Sequence, residues 1–109
     1  SVDYPDYAEK VCKKVLSEKA IGIVICGTGI GISIAANKID GIRCALCSDE
    51  YSARMTRKHN DANVLALGGR VIGPEIAKAV VKSFLENGFD GGRHAQRVEK
   101  IKALEIRQI

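Results

Sequence analysis

The sequence predicts an α/β fold, a three-layer αβα sandwich in which helices cover both faces of a parallel, Rossmann-like sheet. Three observations support this prediction. Short apolar runs alternate with longer segments of helical periodicity, which is typical of parallel strands joined by crossover helices. Glycine or a helix-capping residue follows each apolar run, as a strand-to-helix turn requires. The length of 109 residues provides the core of one domain, so residues 1–109 are predicted to form a single α/β domain.

The first predicted elements are a helix and a buried strand. Pro5 and a stripe of apolar residues at helical spacing predict a helix over 6–18. The unbroken apolar run over 21–26 predicts a strand that is buried on both faces. The next elements are a short helix over 32–37 and a strand over 42–47.

The second half of the chain continues the same alternation. Ser48 precedes two acidic residues that favour a helix N-terminus, so it is the predicted N-cap of the next helix. The last elements are a strand over 63–67, a helix between Gly73 and Asn87, and a basic helix over 94–107. Three parallel strands make a narrow sheet, and the first element is a helix. We therefore expect either that a partner subunit completes the core or that a front segment is missing, leaving the sheet truncated on its N-terminal side.

The composition excludes several classes of protein. No apolar run approaches the roughly 20 residues that a transmembrane helix needs, and the polar start lacks the layout of a secretory signal. We therefore expect no membrane partner, and the cysteine usage described next predicts a location in the cytoplasm. The net charge is +4, but the chain has only three Tyr and two Phe and no wide basic stripe. A nucleic-acid partner is therefore not expected.

The four cysteines do not have the spacing of a metal site or a disulfide framework. Cys44 and Cys47 form a CxxC motif, but they lie in an apolar run that is predicted to be a strand. An offset of three residues places two side chains on opposite faces of a strand. Reduced thiols are also the rule inside cells. We therefore expect no metal site and free cysteines.

Glycines follow the first predicted strand and precede a helix, an arrangement that binds anions. Backbone N–H groups at a helix start lack partners, and the helix dipole is positive there. The spacing of Gly27, Gly29 and Gly31 does not match the dinucleotide fingerprint, and the Lys–Ser/Thr pair of a P-loop is missing. A small anionic substrate therefore fits better than a nucleotide. The alternative is a tight turn that only packs the strand against the helix.

Two side chains near predicted strand and helix ends could perform acid–base chemistry. Cys26 ends the first strand, where open α/β sheets place ligands, and the adjacent helix start favours its thiolate. The alternative is a buried, inert thiol. His59 lies at the end of a helix, where it is either a surface side chain or, beside Asn60 and Asp61, part of a polar pocket rim.

Three arginines could bind a phosphate group. Arg93 and Arg97 are four residues apart and so lie on one face at a helix start, which is a suitable fork for a phosphate. Arg70 directly follows a strand and could join them. The alternative for the first two is a solvated basic helix.

Several segments resemble type B ribose-5-phosphate isomerases. The resemblance lies in residues 26–38 (CGTGIGISIAANK), 59–65 (HNDANVL), 67–70 (LGGR), 91–94 (GGRH) and the opening residues 1–7. The resemblance implies an enzyme that interconverts ribose 5-phosphate and ribulose 5-phosphate without metal or cofactor. It also implies a homodimer or homotetramer whose active sites lie between subunits.

The resemblance further implies a role for each candidate residue. Cys26 is implied to be the base, and Thr28 to orient the reacting end of the sugar. The enediolate oxygens are implied to bind the backbone N–H groups of Gly27, Thr28, Gly29, Ile30 and Gly31. His59 is implied to assist ring opening and Asn60 to bind substrate. The phosphate is implied to bind Arg70, Arg93 and Arg97, with His94 beside them.

One feature of that family is missing from these residues. Members have an earlier strand that ends in an Asp-His pair, and no Asp-His pair occurs in residues 1–109. We therefore expect the chain to correspond to the C-terminal two-thirds of the family domain. A galactose-6-phosphate isomerase subunit is an alternative, although the Gly92-Arg93-His94 stretch favours a pentose. A non-catalytic sugar-phosphate-binding or assembly module is another, because the pair is missing.

Overall fold

The computed structural model describes residues 2–107, which form a parallel three-stranded sheet with five helices. The elements are α1 (Tyr4–Glu18), β1 (Gly22–Cys26), α2 (Ile30–Asn37), β2 (Cys44–Leu46), α3 (Glu50–Asn60), β3 (Val64–Gly68), α4 (Pro74–Glu86) and α5 (Arg93–Arg107). The strand order is β1-β3-β2, and both strand pairs are parallel. The predicted α/β class and the order of elements are confirmed. None of the described helices has the length and apolar character that crossing a membrane demands.

Local sequence explains where α1 and α3 begin. Pro5 lies in the first turn of α1, where its missing N–H costs no hydrogen bond. The prediction that Ser48 caps α3 is wrong by one residue. Asp49 is the N-cap, and its carboxylate accepts a hydrogen bond of 2.7 Å from the Ser52 backbone N–H.

The core forms on both faces of β3, which is the central strand and is buried throughout. Successive side chains of a strand point to opposite faces, so Val64 and Ala66 belong to one cluster and Leu65 and Leu67 to the other. The first cluster also contains residues of α1 and α2, and the second contains residues of α3 and α4. Helices therefore cover both sides of the sheet, as predicted.

The two cysteines of the CxxC motif lie against different clusters. Cys44 packs against the cluster under α1 and α2, whereas Cys47 belongs to the cluster under α3 and α4. The predicted placement on opposite sides of the sheet is confirmed. All four cysteines are free thiols.

The prediction that β1 is buried on both faces is wrong. Its Val24 is buried against α1 and α2, but Ile23 and Ile25 are 37% and 59% exposed. The physical reason is position: β1 is an edge strand that pairs only with β3, so an apolar residue on its second face has less cover. Ile23 and Ile25 line a groove whose other wall is α4. An apolar run does not distinguish an edge strand from a central one.

The sheet has two edges that position the candidate site. We call the ends of the strands, at Cys26, Leu46 and Gly68, the carboxyl edge, and their starts the amino edge. Each crossover helix returns the chain from the carboxyl edge to the amino edge, because the strands are parallel. The start of α2 therefore lies at the carboxyl edge, and the end of α3 lies at the amino edge.

Candidate active site

The thiol of Cys26 lies at the carboxyl edge, beside the loop Gly27–Gly29 that joins β1 to α2; we call this segment the glycine loop. The backbone N–H of Gly29 donates a hydrogen bond of 3.2 Å to the Cys26 sulfur. Burial favours the neutral thiol, but backbone N–H groups outweigh it and lower the pKa of Cys26 below its ordinary value. These donors belong to Ile32, Gly29, Thr28 and Gly31. Cys26 is half-buried, so the environment suits an accessible thiolate.

The conformation of the glycine loop depends on Gly29. This residue has φ +80°, and a Cβ there would lie 2.8 Å from the Leu67 carbonyl carbon and 2.5 Å from Leu46 Cδ1. The loop is held by two hydrogen bonds of 2.9 Å that continue the β1–β3 pairing. The Gly69 N–H donates to the Cys26 carbonyl, and the Arg70 N–H donates to the Gly27 carbonyl.

Arg70 and Thr28 complete the polar surface of this loop. The Arg70 guanidinium lies over Gly27, with its Nε 3.7 Å from the position of a Cβ there. The Thr28 hydroxyl accepts a hydrogen bond of 3.2 Å from the Ile30 N–H, at the first residue of α2. A cation therefore lies over the glycine loop, and the loop leads into a helix start, so negative charge is stabilised beside this loop.

Tyr4 is a neighbour of this site that the sequence analysis missed. Its ring lies against Gly31, because a Cβ at Gly31 would lie 2.5 Å from the Tyr4 hydroxyl oxygen. Tyr4 begins α1, which starts at the carboxyl edge. The only signal for it in the sequence was the resemblance of the opening segment, which assigned no role to the ring.

A second cluster lies at the amino edge, where α3 ends and α5 begins. The rings of His59 and His94 stack, with centroids 4.1 Å apart and planes 12° from parallel. The Asp90 N–H donates a hydrogen bond of 3.0 Å to the Lys58 carbonyl and so holds the two helix ends together. Burial, then His59 and then the neighbouring arginines lower the pKa of His94 below its ordinary value, although Asp90 opposes them.

The remaining predicted ligands belong to this amino-edge cluster. Arg93 and Arg97 lie one turn apart at the start of α5, and both are exposed. Asn60 is the last residue of α3 and is also exposed. The amino-edge cluster consists of His59, Asn60, Arg93, His94 and Arg97.

The structure divides the predicted site residues between the two edges. Cys26, the glycine loop and Arg70 lie at the carboxyl edge, whereas the histidines and the other two arginines lie at the amino edge. The ends of a five-residue strand are about 13 Å apart, so within one chain the two clusters face different surfaces. Arg70 therefore does not join Arg93 and Arg97 within one chain. Within residues 2–107, no group of three or more His, Cys, Asp or Glu side chains has the arrangement of a metal site.

Comparison with known proteins identifies the family. The sequence profile described as Ribose/Galactose Isomerase matches residues 1–101. The chain belongs to this family. Both clusters lie within the matched residues, so the family match includes the thiol, the glycine loop and the start of α5.

Individual members of the Ribose/Galactose Isomerase family are similar over the whole chain. Ribose-5-phosphate isomerase B of Escherichia coli is 56% identical over 107 residues, covering 97% of this chain and 72% of that protein. The putative sugar phosphate isomerase YwlF of Bacillus subtilis is 56% identical over 110 residues, covering 100% of this chain and 74% of that protein. The structure of ribose-5-phosphate isomerase B of Clostridium thermocellum superposes with a TM-score of 0.97 at 56% identity, covering 100% of this chain and 74% of that one.

Proposed function

We propose that the chain is an aldose–ketose isomerase that interconverts ribose 5-phosphate and ribulose 5-phosphate through an enediolate. The observation that carries this proposal is the Cys26 thiol, which accepts a hydrogen bond from the loop N–H of Gly29 at the start of α2. The family match and the relatives named ribose-5-phosphate isomerase B support the same reaction.

The proposed chemistry moves one proton between neighbouring carbons. The Cys26 thiolate removes the proton from C2 of the open-chain aldehyde, and the electron pair of that bond forms the enediolate. A proton passes from the C2 oxygen to the C1 oxygen, and the thiol then returns its proton to C1. The net change needs no metal or cofactor, because one carbon is oxidised as its neighbour is reduced. Negative charge develops on the two oxygens.

The carboxyl edge is arranged to stabilise that charge. The glycine loop and the first residues of α2, from Gly27 to Gly31, present backbone N–H groups and the positive end of a helix. We assign the enediolate oxygens to these groups and the orientation of the reacting end to Thr28. Donors fixed in a folded loop need no reorganisation when the charge forms, which is why they lower the barrier.

The amino-edge cluster supplies the complementary functions in this proposal. His59 opens the furanose ring, and Asn60 binds the sugar. Arg93 and Arg97 bind the phosphate with Arg70, and His94 lies beside them. Because the two clusters face different surfaces of one chain, we propose that each active site forms between two chains of a homodimer or of a homotetramer built from it.

An exposed apolar surface supports this assembly. Ile30, Ile34 and Leu46 are 52%, 57% and 39% exposed, and we call them the apolar patch. Ile30 directly follows the glycine loop, Ile34 lies one turn further along α2, and Leu46 approaches Gly29. The surface continues along β2 to Ile101 and Leu104 of α5, which line one cavity with Cys44 and Asn60. A two-fold axis beside β2 would place each glycine loop opposite the partner's amino-edge cluster. Apolar surface of this kind marks contacts between proteins.

Two further parts of the proposal concern the domain and its location. We propose that residues 1–109 form one sugar-phosphate isomerase domain, because both core clusters share the same sheet. We also propose the cytoplasm as its location, since a catalytic thiolate needs reducing surroundings. The partners in this proposal are a sugar phosphate and a second copy of the chain, with no nucleic acid and no membrane.

Turnover of ribose 5-phosphate tests the proposal. We would measure ribulose 5-phosphate formation by the 109-residue chain and by the complete translation product of its gene. Because Cys26 acts as a general base, Cys26→Ser should lower kcat by about 10²- to 10⁴-fold and leave binding of a phosphate-bearing inhibitor unchanged. Cys44→Ser is the matched control and should retain activity. Unimpaired turnover in Cys26→Ser would remove the thiol from the mechanism.

The same assay separates the alternatives. Faster turnover of galactose 6-phosphate than of ribose 5-phosphate would identify a six-carbon sugar as the substrate. Binding of phosphate compounds without turnover by the complete translation product would indicate a non-catalytic module. The Gly92-Arg93-His94 stretch favours the pentose.

A further inference from the structure

Asp61, immediately after α3, is the centre of a group of ion pairs that none of the steps above uses. It ends the helix in the left-handed conformation with φ +48°. Its Oδ2 lies 3.5 Å from Arg43 Nη2, and its Oδ1 lies 3.2 Å from Arg57 Nη1. We call Arg43, Arg57 and Asp61 the Asp61 clamp. Both arginine side chains are mostly buried, at 15% and 12% exposure, whereas the Asp61 side chain is 39% exposed, so solvent reaches the carboxylate but little of the two guanidinium groups.

The clamp also binds carbonyl groups at the end of α3 and in the two residues after it. Arg43 Nε donates a hydrogen bond of 2.9 Å to the Asn60 carbonyl, and its Nη2 donates one of 2.8 Å to the Asp61 carbonyl. Arg57 Nη1 donates to the Ala62 carbonyl. Carbonyl groups at a helix end otherwise lack partners, and a cation there also interacts favourably with the helix dipole. These bonds fix the backbone directly beside His59.

Arg57 extends this support to the segment that leads into α5. Its Nε donates a hydrogen bond of 3.2 Å to the carbonyl of Asn87, the residue directly after α4. Its guanidinium carbon lies 5.7 Å from the centroid of the buried Phe84 ring. Three residues beyond Asn87, Asp90 binds the Lys58 carbonyl. Arg57 thus joins the end of α3, which carries His59, to the start of the segment that leads into α5 and His94.

We infer that the Asp61 clamp positions His59 against His94 for opening of the sugar ring, without touching substrate. This inference rests on the proposed function, in which His59 acts on the ring. A planar guanidinium fork is suited to the role, because it binds a carboxylate and a carbonyl at once in fixed directions. Arg43, Arg57 and Asp61 are therefore positioning residues.

The reaction offers a readout that separates positioning from a general structural role. Ribose 5-phosphate must open its ring before C2 is accessible. Ribulose 5-phosphate cannot close the corresponding ring, since its C5 oxygen carries the phosphate. Exchange of a C1 proton of ribulose 5-phosphate with deuterium from solvent therefore needs the Cys26 end of the site but not ring opening.

The experiment compares Asp61→Asn and Arg43→Lys with the unmutated protein in both assays. Asn tolerates a left-handed backbone but removes the charge, and Lys keeps the charge but lacks the fork. We expect kcat for ribose 5-phosphate to fall on the order of 10- to 100-fold in both variants, because a misplaced catalytic group costs that much. Deuterium exchange at saturating ribulose 5-phosphate should stay within about twofold of the unmutated protein. Asp40→Asn, at an exposed position outside the clamp, is the control and should change neither rate.

The outcomes distinguish this inference from the proposed function. If both variants keep full ribose 5-phosphate turnover, or if both rates fall together, the clamp does not position the histidines for ring opening. If the unmutated protein shows neither turnover nor exchange, the proposed function itself fails.

Discussion

The cysteines show how strongly local surroundings change the pKa of one type of side chain. Cys44 and Cys47 are packed beside the sheet, where burial is the largest cause that raises their pKa values to about 12 and about 11. Cys26 is also partly desolvated, but backbone N–H groups of α2 and the glycine loop outweigh that effect and lower its pKa. Only Cys26 therefore combines exposure with a stabilised thiolate, which is what a base or nucleophile needs.

At the same scale, the stacked histidines predict a measurable titration. Burial and the neighbouring His59 hold the pKa of His94 below its ordinary value. In His59→Gln, we expect the pKa of His94 to rise toward the ordinary value, because the substitution removes a neighbouring positive charge that disfavours protonation of His94. Nitrogen-detected NMR titration of both proteins measures this. An unchanged His94 titration would show that the two rings do not interact electrostatically.

The lowered pKa of His94 also fixes the sign of a stability change. Below a pH of about 6.5, the unfolded chain binds this proton more readily than the folded chain does. Stability therefore falls as the pH drops from about 6.5 through the lower pKa that His94 has in the folded chain.

At the scale of elements, the glycine loop depends on one conformation. Gly29→Ala would strain a residue with φ +80° and press its Cβ against the Leu67 backbone. We expect the free energy of unfolding to fall by about 1–3 kcal/mol, with loss of turnover because the loop donors move. Urea denaturation and the isomerase assay measure the two effects.

Gly88→Ala is the matched control for that substitution. A Cβ at Gly88 would have nothing within 4 Å, its φ lies outside the left-handed region, and it lies after α4 and not at a helix start. We expect the free energy of unfolding to change by less than about 0.5 kcal/mol. If the two variants have equal stability, the loop does not need the conformation described for Gly29.

At the scale of the whole molecule, a site shared between chains predicts complementation. In a mixed dimer of Cys26→Ser and His59→Gln chains, one site carries both substitutions and the other carries neither. After equal amounts are unfolded and refolded together, about a quarter of the unmutated activity should return, because half of the dimers are mixed and each has one intact site of two. A mixture as inactive as the separate variants would show that each chain builds its own site.

The sequence alone determined the class, the order of elements and the candidate residues of this protein. Alternating apolar runs and helical stripes identify parallel strands with crossover helices, because each pattern reflects local periodicity. Local signals also identified candidate anion-binding residues, since glycines after a strand and arginines one helical turn apart are visible in the printed sequence. The N-cap of α3 was missed by one residue because Ser48 and Asp49 are both good caps.

Tertiary structure decided what depends on contacts between distant segments. The strand order made β1 an edge strand and exposed Ile25, which an unbroken apolar run does not reveal. Folding placed Tyr4 against Gly31 in α2, stacked His59 on His94 and brought Arg43 to the end of α3 to complete the Asp61 clamp. Above all, it separated Cys26 from His59 by the length of a strand. The physical reason is that periodicity records which face of its own element a residue occupies, whereas pairing between elements sets which residues meet.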